Sequence, residues 1–435
     1  MTSKSNVPVA ILGAGLTGLS AALACQRAGI HYRLFERDGE PGGLARTSEE
    51  AGYRFDRTGH LLHLGNPALR DEVLGWLGNE FSVIQRRSKI WSHGVYTDYP
   101  FQANTFGLPA EVAYDCVLGF VEAAARQHRA APANFEEYCL RHFGAGISRH
   151  FMLPYNSRLW GVPAREITTA WCERFVPRPT LEDVIAGAVG KPRRALGYNQ
   201  EFVYPRHGIG RLTSALAAQL TALEPNTAPL RVELAKKQLV FAQGNVAYDR
   251  LVSSIPLKQL LGLCGPLPDE VARATRALRC THLYYLDIAI RTPARQDWHW
   301  VYVPEARYPF YRVGCYSNFS ECMAPPRSAS LYVELADRSA PDLDVLLPRV
   351  FEGLIELAAI ERPEDVAFAR LRRIDHAYVI FDDQHQRATE LCHEFLAEHG
   401  VTSAGRYGQW TYSSMEDALE SGRRVVSAFA NEHGS

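Results

Sequence analysis

The sequence predicts an α/β protein in which a Rossmann-like, nucleotide-binding sheet is interrupted by a helical insertion and by an antiparallel β-sheet. Three observations predict it. The chain opens on a strand–turn–helix–strand unit: "VPVAILG" is a short Val/Ile-rich run, "GAGLTGLSAALACQRAG" spaces Leu and Ala as a helix does, and "IHYRLFER" reads as a second strand. Strand character returns in "LRVELAKKQLVFAQGNVAYDRLVSSIP", a meander that ends in an apolar strand. The chain closes on a turn and a helix, "GRYGQWTYSSMEDALESGRRVVSAFA". Such elements at the start, middle and end describe one discontinuous domain.

Taken in order, residues 1–98 form the first part of this domain. Residues 99–198 form a mainly helical insertion, with a break at "RAAPANF" and with Pro-, Arg- and Gly-rich loops after 160. Residues 199–275 return to the nucleotide-binding domain through the amphipathic "RLTSALAAQLTAL" and the meander. Residues 276–390 form the antiparallel sheet, in which "THLYYLDIAI" and "HWVYVPEARYPFYRVGCYSNF" read as long strands and "DLDVLLPRVFEGLIELAAI" as a helix. Residues 391–435 complete the nucleotide-binding domain.

Composition narrows the function. The 435 residues are 46% hydrophobic and 22% charged, with a net charge of −1. That balance argues against nucleic acid or an anionic membrane as the main partner. No apolar run approaches the roughly 18 residues that span a bilayer. The start, "MTSKSN", is polar and has no signal-peptide core, so a cytoplasmic location is expected. None of the nine cysteines forms a CxxC pair or a zinc spacing, so reduced thiols and no metal are expected.

The chemistry begins at "GAGLTG". Gly13 permits the tight turn, Gly15 lets a pyrophosphate approach the helix start at Leu16 and Thr17, and Gly18 lets helix and strand pack closely. Glu36, at the end of the next strand and followed by Arg37, is placed to accept a hydrogen bond from a ribose hydroxyl. The string "FERDGEPGGLART" resembles FAD enzymes of the amine-oxidase and protoporphyrinogen-oxidase superfamily. That resemblance implies FAD, with a second loop of Gly43, Leu44, Ala45 and Arg46 at its pyrophosphate and Val232 among the cofactor contacts. It also implies a last helix, "MEDALESGRRVVSA", whose N-terminus faces the flavin. Asp417 near that N-terminus serves equally well as a helix cap.

Further stretches, in the right order along nearly the whole chain, resemble the UDP-galactopyranose mutases, particularly their eukaryotic-type branch. "DYPFQ" matches the segment that binds uridine, which gives Tyr99, Phe101 and Gln102 that role; an apolar turn around Pro100 is the alternative. "YNSRLWGVPAREITTAWCERF" matches the sugar-pocket residues Asn156 and Trp160 and a mobile loop with a diphosphate arginine, Arg174. "NQEFVYPRHGIGRL" matches a second mobile loop, with Asn199 on the substrate. "YVPEARYPFYR" matches a tyrosine and the second diphosphate arginine, Tyr302 and Arg312. Tyr378 in "DHAY" and Tyr412 in "GRYGQWTY" match diphosphate-bonding hydroxyls, and Arg406 matches a flavin contact. "GHLLH" matches the loop against the flavin, with Gly59 and His60 in it; His63 matches nothing and reads as a bystander. Three positions depart from the family pattern: Thr58 replaces the first loop glycine, Val379 replaces a proline, and "SSMEDA" replaces a Gly-Asn-Gln-Asp-type turn.

The resemblance implies an isomerase that interconverts the pyranose and furanose forms of a UDP-sugar, UDP-galactopyranose and UDP-galactofuranose, with no net redox change. In that family the reduced flavin attacks the anomeric carbon through N5, UDP leaves, and the sugar–flavin adduct opens and recloses before UDP returns. His60, Arg174 and Arg312 would be the catalytic residues, and NAD(P)H can serve as reductant. The competing expectations are an FAD oxidoreductase of the amine-oxidase or protoporphyrinogen-oxidase type, a mutase of another nucleotide sugar, or a flavin-binding protein without catalysis.

Overall fold

The apolar run at the start of the chain becomes the central strand, Ser5–Leu12, of a seven-stranded sheet. Tyr32–Phe35 and Gly244–Ser253 flank it, both in parallel. An unbroken apolar run suits this position because helices and loops cover both faces. Beyond these strands lie Leu223–Glu224 on one side and Val401–Ser403 on the other, again parallel. Gln238–Phe241 and Arg231–Glu233 add an antiparallel edge. The sheet is therefore built from widely separated parts of the chain, as the sequence predicts. This computed structural model describes residues 5–126, 130–191, 196 and 200–433.

The second sheet also has seven strands, in the order Val366–Val379, Cys280–Ile290, Ala329–Leu335, Phe310–Cys315, Trp300–Tyr302, Ser88–Ser92 and Val95–Asp98. The aromatic stretch expected as long strands is two short ones, with Tyr302 directly opposite Arg312. Residues Ser88–Asp98 lie inside the first predicted segment, yet they pair into this second sheet through Trp300–Tyr302. Alternating burial along Ser88–Ser92 is the local sign of that role. The helices Ala110–Ala125 and Phe135–Ile147 share one buried cluster with this second sheet, among them Phe120, Phe143, Ile90, Leu283 and Tyr311.

Two features aim these layers at one place. The C-terminal helix Met415–His433 runs along Leu16–Arg27, and the Ser20 hydroxyl donates to the Leu419 carbonyl at 2.6 Å. The strand Tyr53–Asp56 ends between the two sheets and releases the chain into the Arg57–His60 loop. Among the described residues no helix is long and apolar enough to cross a membrane.

Candidate active site

The glycine motif makes the cradle predicted for it. Gly13 has φ +90° and its N–H donates to the Phe35 carbonyl at 2.9 Å. A Cβ on Gly18 would lie 1.8 Å from the Gly13 carbonyl oxygen, so only glycine brings helix and strand this close. Leu16–Arg27 has Gly15 at its N-cap and no side-chain cap, which leaves the first-turn N–H groups available to an anion. The second loop comes alongside: a Cβ on Gly43 would lie 3.3 Å from the Gly15 Cα. Glu36 is buried and ties the two turns, accepting from the Ala14 N–H at 2.7 Å and the Asp38 N–H at 3.0 Å. The backbone of both loops and an acid at the strand end fit a dinucleotide. Val232 is fully buried in an edge strand of the same sheet, and Arg37 is exposed and pairs with Asp38 at 3.4 Å.

The Arg57–His60 loop hangs from one buried carboxylate. Asp56 accepts from the Thr47 hydroxyl at 2.6 Å, the Tyr204 hydroxyl at 2.6 Å and the Ile209 N–H at 3.1 Å. Burial, opposed by these bonds, pushes its pKa up to about 7. Gly59 sits under the Tyr332 ring, where a Cβ would lie 2.4 Å from the hydroxyl oxygen. Thr58 adopts φ +70°, the left-handed backbone of the glycine it replaces. His60 packs behind it, its Nδ1 3.3 Å from the Thr58 carbonyl. Its pKa is pushed down to about 4, by burial first and then by Arg406, Arg312 and Arg57. The imidazole is therefore neutral at physiological pH. His63 turns away and its Nδ1 meets the Glu201 carbonyl at 2.8 Å.

Opposite His60 the second sheet presents a largely buried arginine among phenols, its side chain 19% exposed. One Arg312 nitrogen donates to both Glu334 oxygens, at 2.6 and 2.7 Å, and to the Tyr378 hydroxyl at 3.1 Å. Glu334 is wholly buried. Burial works against the Arg312 charge, but Glu334 and the phenols outweigh it, and its pKa rises well above the ordinary value. Tyr378 stacks on Tyr412 at 6.3 Å, and Trp160 meets both rings edge-on. The Arg406 guanidinium lies 4.5 Å from the Tyr412 ring centre and donates to the Ser413 and Ala377 carbonyls. Tyr302 packs edge-on against Tyr155 and beside Tyr99, each at 5.2 Å. Buried Nε atoms of Arg312 and Arg406, and the Trp160 indole nitrogen, have no hydrogen-bond partner among the described residues. These unmet donors belong to side chains packed around the same two rings, Tyr378 and Tyr412, and give the cluster a polar, cationic character.

The structure thus gathers His60, Trp160, Tyr302, Arg312, Tyr378, Arg406 and Tyr412. Arg174 stands apart, 54% exposed, and pairs with Asp417 at 2.9 Å. Asp417 also caps the C-terminal helix: its carboxylate accepts from the Ser414 N–H at 2.7 Å, and its own N–H donates to the Ser414 hydroxyl at 3.1 Å. Phe101 is fully buried and stacks on Phe151, so its ring is core here. Gln102 donates to the Pro177 carbonyl at 3.0 Å, and its buried Oε1 has no partner. Tyr99 is half-buried beneath the Arg86 guanidinium. Asn156 donates to the Met152 carbonyl at 2.8 Å. Asn199 lies outside the described residues.

Sequence reasoning missed three groups: Asp56, Arg57 and Glu334. Glu334 carried a signal, a lone acid in the apolar "SLYVEL", of the same kind that marked Arg312.

The fold and cradle define a Rossmann-type dinucleotide-binding protein, and the NAD(P)-binding Rossmann-like domain family matches residues 11–74. Over 98% of its length the chain superposes on the crystal structure of reduced UDP-galactopyranose mutase, with a TM-score of 0.92, 27% identity and 96% of that chain covered. The chain therefore resembles UDP-galactopyranose mutase, within the FAD amine-oxidase and protoporphyrinogen-oxidase-like superfamily. The crystal structure of a putative protoporphyrinogen oxidase from Exiguobacterium sp. 255-15 shares the fold, with a TM-score of 0.76 at 17% identity over 99% of this chain and 100% of that one. A 1-hydroxycarotenoid 3,4-desaturase of Flavobacterium sp. (strain P99-3) is 30% identical over 111 residues, 24% of this chain and 22% of the relative. The chain spans less than a third of the length of the curated relatives it matches.

Proposed function

We propose that this chain is an FAD-dependent isomerase that interconverts the pyranose and furanose forms of a UDP-sugar, UDP-galactose first among them. One observation carries the reading: the largely buried Arg312, with Tyr302, Tyr378 and Tyr412 around it, faces the His60 loop. An amine or an apolar substrate has no use for a buried guanidinium; a diphosphate does.

FAD fits the cradle, because Gly15 and Gly43 bring two bare backbone loops together, Gly18 lets the helix start lie close to the strand, and the first-turn N–H groups are uncapped. Gly15, Leu16, Thr17, Glu36 and the Gly43–Arg46 loop would hold the dinucleotide. Gly59, His60 and Arg406 would face the flavin. Bound and reduced, FAD would supply the nucleophile that no side chain here provides. The residues of the chain do the rest. Arg312 stabilises the charge that grows on the departing diphosphate, a role set by a fixed cation in a dry site. Burial raises the pKa of Tyr302 and Tyr378, so both hydroxyls stay protonated as donors. Arg174 adds a second cation when it leaves Asp417. Tyr99 and Gln102 orient the base, and Asn156 and Trp160 line the sugar pocket. Neutral His60 would sit beside the flavin without adding charge.

The test is to incubate dithionite-reduced protein with UDP-galactopyranose and to separate the products by chromatography. Conversion to the furanose with reduced protein alone is the expected result. Oxygen uptake with amines and no sugar conversion would overturn it, in favour of an oxidase. NAD(P)H replacing dithionite would identify the reductant.

A further inference from the structure

Two arginines stand at the glycine cradle, and they differ in what balances their charge. Arg46, assigned to the pyrophosphate by the sequence pattern, is already engaged. Its Nη1 pairs with Asp38 at 2.8 Å, its Nε donates to the Pro41 carbonyl at 3.1 Å, and its Nη2 reaches the Glu40 carbonyl and lies 3.8 Å from Glu36. Arg57 is half-buried, and its one hydrogen bond among the described residues is from Nη1 to the Gly43 carbonyl at 3.2 Å. No carboxylate of the described residues stands within ion-pair distance of it. Burial lowers its pKa and the nearby Arg46 lowers it further, with Tyr285 and the more distant Asp38 opposing the shift in part and Arg37 adding to it.

A guanidinium held this way is unfavourable until an anion arrives. The place where it is held names the anion. Gly43, its hydrogen-bond partner, packs against Gly15 with no side chain between them, beside the uncapped start of Leu16–Arg27. A diphosphate laid on that helix start would meet backbone N–H groups with no side chain in its way. We propose that Arg57, not Arg46, supplies the cation to the diphosphate bridge of the bound dinucleotide, and that Arg46 serves instead to brace the loop on Asp38 and Glu36. The guanidinium suits the task, since Nη1 holds the Gly43 carbonyl and the other N–H groups remain to donate to phosphate oxygens.

The proposal rests on the reading that the chain binds FAD. Its test follows FAD release from the holoprotein on dilution, by flavin fluorescence, together with the midpoint potential of the bound flavin. Arg57→Met should raise the FAD dissociation constant by about ten- to a hundredfold, as loss of a charged hydrogen bond does. Arg57→Lys, which keeps the charge and loses the fork, should raise it less, and Arg46→Met should fall below Arg57→Met. The gap between wild type and Arg57→Met should narrow as salt is added. The midpoint potential should stay where it is in every variant. An unchanged dissociation constant in Arg57→Met, or a larger loss in Arg46→Met, would overturn the assignment. So would a moved potential at constant affinity, which would place Arg57 on the flavin ring. If Arg57→Met does not fold, as judged by circular dichroism, Arg57→Lys and its salt dependence carry the test. A wild-type protein that binds no FAD at all would bring down the FAD reading itself, and this proposal with it.

Discussion

The cofactor cradle and the cation–phenol pocket face each other but are made in opposite ways. The cradle is largely local: Gly13 to Gly43 span about thirty residues, and Gly18 and Gly43 are each fixed by a contact with backbone of that same stretch. The pocket is assembled at long range, from Trp160, Tyr302, Arg312, Glu334, Tyr378 and Tyr412, on different strands, helices and loops. The cradle holds its shape by the absence of side chains; the pocket holds its shape by balanced charge. A local device should fail gradually when altered, whereas a charge-balanced one should fail when a single partner goes.

Glu334→Ala tests that contrast at its strongest. It leaves Arg312 buried without a counter-charge and should cost about 3–5 kcal/mol of stability by denaturant unfolding. The double variant Glu334→Ala/Arg312→Ala should be less destabilised than that single one. If the two losses simply add, the pair is not the unit of structure. Arg312→Ala should lower turnover of UDP-galactopyranose by about two to three orders of magnitude, as loss of preorganised charge stabilisation does. Near-normal turnover would remove Arg312 from the site. On the cradle side, Gly18→Ala should cost about 1–3 kcal/mol, because the helix must move off the Gly13 carbonyl. Retention of FAD at wild-type affinity would show that the close approach is dispensable.

His60 gives a smaller, pH-dependent effect. The folded chain keeps its imidazole neutral down to about pH 4, whereas an unfolded chain protonates it below about 6.5. More protons on the unfolded chain means that stability is lost as pH falls from 6.5 towards 4. His60→Gln should therefore lessen the drop in stability between pH 6.5 and 4.5 by about 1–2 kcal/mol. An equal drop in both proteins would mean that the imidazole protonates freely in the fold. The smallest effect belongs to Thr58. Its φ of +70° is poorly tolerated by a β-branched residue, so Thr58→Gly should leave stability unchanged or raise it by up to about 1 kcal/mol. A clear loss in thermal melting would show that the buried threonine side chain matters more than the backbone.

How much was legible in the sequence follows the same division. The strand–turn–helix opening and the re-entry at 244–253 could be read from periodicity and glycine spacing, because short-range sterics dictate them. The sheet's recruitment of Ser88–Asp98 could not, since an alternating pattern marks a strand but does not name its distant partner. Arg312 and the three tyrosines came from a family resemblance and not from spacing. Glu334 escaped because a single acid in an apolar strand gains meaning only when its cross-strand neighbour is known, and that neighbour is Arg312. Thr58 was visible as a departure, but its left-handed backbone was not.

The Arg174–Asp417 contact has a consequence for traffic through the cleft. Arg174 lies in the short helix Cys172–Phe175, not in the loop expected for it, and rests on a carboxylate that already caps another helix. In the proposed reaction an incoming diphosphate takes Arg174 from Asp417, and a departing one gives it back. Entry and exit then work as anion exchange, with Asp417 as a resident competitor that limits how long a product is kept.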